Sequence, residues 1–265
     1  MRTIFITGST DGIGKLAAIK LAKDGHQVVL HGRNSSKLEK VVDEVKALTN
    51  NKNISGYVAD FSDLDAMREM SVQIKAAISK LDVLINNAGV FNSKQTLNNG
   101  LDIRMVVNYL APYVLTNDLM PLLEKGDKTR IINLSSAAQS SVSLEALSGK
   151  QQRSEKEMYA QSKLALTMWS FDLAKQLSDI TVIPVNPGSL LNTNMVREAF
   201  GQFWSSADKG GNILYDLAVS SKYEGVTNKY FDNDQGSFGM AHSDAYDTTK
   251  IEKLLKATSE ILGNS

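Results

Sequence analysis

Tyr159 and Lys163 are the residues whose types and spacing most directly suggest a reaction. In the stretch Tyr159-Ala160-Gln161-Ser162-Lys163 they stand four positions apart. On a helix, that spacing puts a phenol and an ammonium one turn apart on the same face. A phenol with its ordinary pKa near 10 is a weak proton carrier at neutral pH. A cation within about 4–6 Å favours the phenolate and lowers that value. A drop of about three units needs roughly 4 kcal/mol of differential stabilisation, within reach of a partly desolvated ammonium. Tyr159 would then serve a carbonyl/alcohol pair as general acid or base. The same pentapeptide also occurs on helices whose lysine is merely solvated.

The sequence around the pair favours such a helix. Ser154-Glu155-Lys156-Glu157 reads as a capping box, with Ser154 as N-cap and Glu157 reaching back. Residues 164–177 contain neither Gly nor Pro, so one rod running over 155–177 would carry both side chains.

The rest of the chain must supply a scaffold. Its 265 residues show no compositional break or Gly/Ser/Pro-rich linker, which favours one domain over 1–265. Formal net charge is zero, giving no support for nucleic acid or a membrane surface as main partner. There is no cysteine, hence no disulfide framework and no thiolate metal site. His26, His31 and His242 are scattered and form no ligand cluster, so no metal is expected. The apolar run at the N-terminus is too short for a signal peptide. The longest uncharged run, 180–196, holds two prolines and a glycine and is no membrane span. A soluble, cytoplasmic protein is expected.

Apolar runs rich in β-branched residues alternate with amphipathic helical patterns, as in a parallel sheet covered on both faces. Strands are expected at 3–7, 27–31, 55–59, 83–86, 130–134 and 181–185, with a short last one at 229–231. Helices are expected at 13–24, ended by Gly25, at 36–48, opened by Ser36-x-x-Glu39, and at 63–79, 100–123, 155–177 and 248–262. The fold class is therefore α/β, a doubly wound parallel sheet of about seven strands.

Strand one runs into Gly8-Ser9-Thr10-Asp11-Gly12-Ile13-Gly14 and then a helix. Glycines at such a turn permit positive φ and remove Cβ atoms where a pyrophosphate would meet backbone. The helix start offers free N–H groups and the positive dipole end. Strand two ends at Leu30-His31-Gly32-Arg33-Asn34, with no acidic residue to bind ribose hydroxyls. Arg33 suits a 2′-phosphate instead, which favours NADP(H) over NAD(H). Asp60, just past strand three, would either meet the adenine amino group or cap the following helix. Strand four ends in Asn86-Asn87-Ala88-Gly89, strand five in Leu134-Ser135-Ser136, and strand six in Val185-Asn186-Pro187-Gly188. Small residues and hydroxyls at these carboxyl ends fit a binding crevice. Asn108 lies mid-helix among apolar residues and needs partners, and Pro112 should disturb the helix there and free a carbonyl.

Together these residues resemble the short-chain dehydrogenase/reductase family over about residues 3–193. Thr7-Gly8-x-x-x-Gly12-x-Gly14 is similar to its cofactor loop, Asn86-Asn87-Ala88-Gly89 to its strand-four motif, and Pro187-Gly188 to its turn beside the nicotinamide. Asn108, Ser136, Tyr159 and Lys163 fall where the family keeps its catalytic tetrad. The resemblance implies that Tyr159 moves the proton and Ser136 holds the substrate oxygen. Lys163 would bind the nicotinamide ribose and lower the Tyr159 pKa, and Asn108 would hold a relay water. The cofactor contacts implied are Gly8, Ser9, Thr10, Asp11, Gly12, Ile13, Gly14, Arg33, Asn34, Asp60, Phe61, Asn87, Ala88, Gly89, Tyr159, Lys163, Pro187, Gly188 and Thr193. Ser136 and Tyr159 are 23 positions apart, a long spacing similar to that of retinol-dehydrogenase-like members. The extra segment is polar and spans 140–153. The family's Thr after Pro-Gly falls one place late, leaving Asn192 or Thr193 for the carboxamide.

Substrate choice is expected in 190–223, where Phe200, Phe203, Trp204, Ile213, Leu214 and Tyr215 form an apolar pocket or lid, or else pack a small helix on the core. The helix carrying Tyr159 is apolar nearly all round, so it is expected to be buried on both sides. The resemblance implies a homodimer or homotetramer through this helix and that at 100–123; a thicker monomer core would explain the pattern too. The activity expected is hydride transfer between NADP(H) and an apolar carbonyl/alcohol substrate. The alternative is a non-catalytic sensor or scaffold that binds NADP(H) on the same fold.

Overall fold

The computed structural model describes residues 1–93, 97 and 100–263, with the side chain of Phe200 also outside the described set. It contains one eight-stranded sheet of order β3-β2-β1-β4-β5-β6-β7-β8. The strands are β1 (Thr3–Ile6), β2 (Gln27–Gly32), β3 (Ile54–Val58), β4 (Val83–Asn86), β5 (Arg130–Leu134), β6 (Thr181–Asn186), β7 (Tyr230–Asp232) and β8 (Ser237–Gly239). The first seven are parallel, and β8 pairs antiparallel with β7. β8 was not expected. It has three residues, one of them Gly, and no apolar run to announce it.

Alternate residues of each strand feed two apolar layers. Ile4, Ile6, Val28, Leu30, Ile85 and Ile183 pack against α1 (Gly12–Lys23), α2 (Ser35–Thr49) and a helix at Ala207–Val219. Phe5, Val29, Leu84, Ile131 and Val182 pack the other way, against α3 (Leu64–Ala77) and two longer rods. Both sheet faces are thus covered, which is why the strands read as continuous apolar runs.

The first rod begins later than expected, at α4 (Ile103–Met105). A π-turn over Val106–Leu110 then leads into α5 (Ala111–Leu123). Pro112 explains the irregularity. It has no N–H to give the carbonyl of Asn108, and the Ala111 amide bonds the Val106 carbonyl in a wider turn. The second rod follows a short α6 (Leu144–Leu147) and is α7 (Glu155–Gln176), opened by the expected capping box of Ser154 and Glu157. At α2 the cap differs: Asn34, not Ser36, accepts from the Lys37 amide. Three candidate caps stand in a row there; Asn34 is the one that bonds the helix start, and Leu38, Val41 and Val45 pack in the core. Asp63 caps α3, which excludes that role for Asp60.

The apolar outer face of α7 is buried within the chain. A one-turn helix at Ser243–Tyr246 and α10 (Thr248–Leu262) cover it, after α8 (Asn194–Phe200) and α9 (the Ala207–Val219 helix). Phe171 packs on Tyr246 at 5.2 Å, and Ala245, Ile251 and Leu254 join the same core as Leu166, Met168 and Trp169. The pattern therefore needs no partner subunit; the thicker core accounts for it. The 140–153 segment adds Ala146 and Leu147 to that core and is tied to α7 by the Ser143 amide donating to Gln161 Oε1 at 2.9 Å. Among the described residues no helix is long and apolar enough to cross a membrane.

Candidate active site

The order of the strands reverses between β1 and β4, and a crevice opens at their carboxyl ends, as expected of a doubly wound sheet. The cleft has a volume of about 630 Å³. It gathers Gly8, Thr10, Asp11, Gly12, Ile13, Gly14, Arg33, Asp60, Phe61, Asn87, Ala88, Gly89, Ser136, Tyr159, Lys163, Pro187, Gly188 and Thr193. Three expected residues do not line it. Ser9 is buried, its hydroxyl accepting from the His31 amide at 2.9 Å. Asn34 is spent as the cap of α2. Asn108 lies behind the wall.

At one end of the cleft, backbone approach is the governing constraint. Gly8 has φ +62°, and a Cβ there would come within 2.8 Å of Ala88. Gly12 has φ +53°, and its Cβ would project toward Thr193 at 3.6 Å, into the gap between the start of α1 and the opposite wall. The absence of that atom keeps the helix start open. Thr7 Oγ1 accepts from the amides of Asn87 and Ala88, both at 2.9 Å, and Asn87 Nδ2 returns bonds to the carbonyls of Thr7 and Gly8. The turn is thereby fastened to the end of β4.

His31 completes this frame. Its Nδ1 accepts from the Gly8 amide at 3.0 Å, so the proton sits on Nε2, which donates to the Ala59 carbonyl at 3.0 Å. The ring stacks on Phe61 at 4.2 Å. Burial pushes its pKa down to about 4, so it is neutral at neutral pH. His31 stands out in the sequence only by its place at the end of β2, two residues before Arg33. Lys37 was also missed. It lines the cleft beside Arg33 and forms a 2.9 Å ion pair with Asp11. Asp11 caps α1 and is also reached by Asn194 Nδ2 at 2.7 Å. Asp60 Oδ1 accepts from the amide and hydroxyl of Ser62, so it shapes the turn after β3.

At the other end, buried polar groups converge. Ser136 follows β5, Tyr159 and Lys163 rise from α7, and Ser136 hydrogen-bonds the phenol of Tyr159. Ser135 turns away, donating to the Lys163 carbonyl at 3.1 Å, which favours Ser136 over Ser135 as the residue facing the cleft. Lys163 Nζ lies 5.6 Å from the centre of the Tyr159 ring and donates to the Leu134 carbonyl at 2.8 Å. Its pKa is pushed down to about 8 by burial. The expected lowering of the Tyr159 pKa is not found. Burial raises it, and the bond from Ser136 opposes this only in part. The ammonium is directed at a carbonyl rather than the phenol oxygen, so desolvation wins.

Asn108 acts at one remove. Its Oδ1 accepts from the Val90 amide at 2.8 Å, and its Nδ2 donates to the Val90 carbonyl and to Ser162 Oγ, both at 3.0 Å. It fixes the loop after Gly89 to the helix of Tyr159. That loop brings Val90 and Phe91 into the cleft, and the Phe91 ring packs on Tyr159 at 4.6 Å. Neither was anticipated, although both directly follow the Asn86–Gly89 motif. Among the described residues of 190–223, Leu191, Thr193, Asn194, Met195, Val196 and Glu198 line the cleft, with Leu191, Met195 and Val196 its apolar members. Ile213 and Leu214 pack instead on α1, while Phe203 and Trp204 are exposed. Thr193 lines the cleft; Asn192 is held outside by Arg197 Nε at 2.7 Å.

A model of the short chain dehydrogenase family matches residues 2–202. The chain belongs to that family of oxidoreductases. It is 32% identical to retinol dehydrogenase 13 of Mus musculus, over 87% of this chain and 75% of that one. It is 30% identical to polyprenol dehydrogenase of Homo sapiens, over 88% and 77% respectively. A short chain dehydrogenase from Shigella flexneri, solved with NADP, superposes with a TM-score of 0.72 at 28% identity, covering 88% of this chain and 97% of that one.

Proposed function

We propose that the protein is an NADP(H)-dependent oxidoreductase that interconverts an apolar carbonyl compound and its alcohol. The observation that carries this is the convergence of Ser136, Tyr159 and Lys163 at one end of a cleft whose other end is an open helix start beside Arg33. The residues fit the cofactor. The missing Cβ of Gly12 leaves room at the first turn of α1, whose N–H groups and dipole suit a pyrophosphate. Arg33 makes no hydrogen bond or ion pair among the described residues, so its guanidinium is available for a 2′-phosphate. When bound, the nicotinamide supplies the hydride.

The chain's own groups do the rest. Lys163 would hold the nicotinamide ribose hydroxyls, and Pro187, Gly188 and Thr193 would face its carboxamide. Ser136 would hold the substrate oxygen while Tyr159 gives it a proton. Burial raises the phenol pKa, so Tyr159 is protonated at neutral pH and carries the proton that a reduced carbonyl oxygen would take. Asn108 would serve the relay through its backbone carbonyl, freed by Pro112, because its amide is taken up by Val90 and Ser162. Phe91 packs on Tyr159, and Val90, Leu191, Met195 and Val196 add to the apolar lining of the cleft; the names of the two relatives, retinol and polyprenol dehydrogenases, accord with an apolar substrate. The test is a panel of apolar aldehydes and ketones with NADPH, on the wild type and Tyr159→Phe. The variant should lose roughly a thousandfold in kcat with NADPH binding retained; equal rates would refute the role of Tyr159.

A further inference from the structure

Ser136 is placed awkwardly for a residue that must aim a hydroxyl. Ladder bonding between β5 and β6 ends with the Ser135 amide donating to the Val185 carbonyl at 2.8 Å. Ser136 is the next residue, so the sheet no longer fixes its peptide. Two side-chain donors converge on its carbonyl instead: the Tyr230 hydroxyl at 2.9 Å and Gln139 Nε2 at 2.8 Å. Tyr230 comes from β7 and is 96% buried, so its hydroxyl has little water to turn to if this bond is lost. Gln139 is anchored at its far end, where Oε1 accepts from the His242 amide at 3.1 Å. The Ser136 hydroxyl accepts from the Ala138 amide at 3.1 Å and bonds the Tyr159 phenol. Tyr230 and His242 both lie beyond the 2–202 span of the family match.

The geometry points to Tyr230 and Gln139 as positioning residues for Ser136, together clamping its peptide so that its hydroxyl faces Tyr159. This rests on the proposed role of Ser136 in holding the substrate oxygen. A tyrosine that only filled the core would need its ring alone, and its hydroxyl would be dispensable to the serine.

The test uses the full chain carrying Tyr230→Phe or Gln139→Ala, each alone and with Ser136→Ala. The first readout needs neither cofactor nor substrate: exchange of the Ala138 amide, which the Ser136 hydroxyl protects. Each single variant should speed that exchange about tenfold while leaving the β5 interior, Ile131 and Ile132, unchanged. The second is NADPH-dependent turnover of the best aldehyde in the panel. Each single variant should lower kcat about tenfold with the KM for NADPH unchanged, and neither should cost anything further when Ser136 is already Ala. Unchanged exchange at Ala138 overturns the clamp, as does faster exchange throughout β5. So does a full additional tenfold loss on the Ser136→Ala background. If exchange responds as expected but no carbonyl is turned over by the wild type, the clamp stands and the reductase reading falls.

Discussion

The two ends of the cleft are held in different ways. The glycine turn is fastened by its immediate neighbours in the first ninety residues: Thr7, Asn87 and His31, through neutral bonds to backbone. The serine and proline corners are fastened from far along the chain. Tyr230 holds Ser136, Asn233 Nδ2 holds the Pro187 carbonyl at 2.9 Å, and Asp234 holds the Ser189 amide at 2.8 Å. The first end is built mainly from β1, α1, β2 and β4, with Asn194 reaching Asp11 from later in the chain, and its cations stand in solvent. The second buries its ionisable groups and is complete only when the C-terminal hairpin of β7 and β8 has docked. Nucleotide recognition and chemistry should therefore fail separately, by different mechanisms.

The largest separation is expected at Lys163. Lys163→Met should lower kcat roughly a thousandfold, because a buried cation beside the reacting groups has no substitute. Its pKa of about 8 also sets a limit on pH. The charged form predominates below that value and is lost above it, so reductive turnover should decline as the pH rises past about 8. A kcat profile that stays level well above that point would remove the Lys163 charge from the mechanism.

At the nucleotide end the corresponding effect falls on stability. The pKa of His31 is depressed from 6.5 to about 4 in the folded chain. The unfolded chain therefore takes up the proton first as the pH falls. The contribution is fully present above about 6.5 and is lost progressively on acidification to about 4. Its size is on the order of 3 kcal/mol for a shift of that extent. His26 is shifted in the same direction, also by burial, so the wild type alone would not separate them. Denaturant unfolding of the wild type and His31→Gln across this interval isolates the difference. The variant should show a flatter dependence, and parallel curves would contradict the assignment.

The same contrast explains how much was legible in the sequence. The glycine turn, the capping box at Ser154 and the Tyr159/Lys163 pair follow from neighbours within a few positions, and all were placed correctly. The doubly wound parallel sheet followed from the alternation of apolar runs and helices. What escaped was set by distance. Whether burial or Lys163 governs the Tyr159 pKa depends on what the fold sets against the phenol, including the Phe91 ring from far earlier in the chain. Tyr230 looked like one more strand residue, because nothing near it in the chain says that its hydroxyl meets Ser136, 94 positions away. Asn108 was expected to need partners and has them, but that its amide meets Val90 depends on a π-turn that a proline hints at without specifying. The late start of the single helix expected over 100–123, and the choice for Ile213 and Leu214 between a pocket or lid and a helix packed on the core, were likewise decided by packing, not by local pattern.

The smallest and most selective effect is expected at the mouth of the nucleotide end, where two cations lie side by side. Arg33 is exposed and without a partner among the described residues, whereas Lys37 is already paired with Asp11. Arg33→Ala should weaken NADPH binding about tenfold, the worth of one charge-assisted contact to an exposed phosphate, and leave NADH binding unchanged. Lys37→Ala should cost less NADPH affinity, because its charge is already shared with the Asp11 carboxylate that caps α1. Calorimetric titration with NADPH and NADH separates the two. If Lys37→Ala weakens NADPH more than Arg33→Ala does, Lys37 leaves Asp11 to meet the 2′-phosphate. If NADH weakens equally in both variants, the cations serve the pyrophosphate, and the preference for NADP(H) must come from elsewhere.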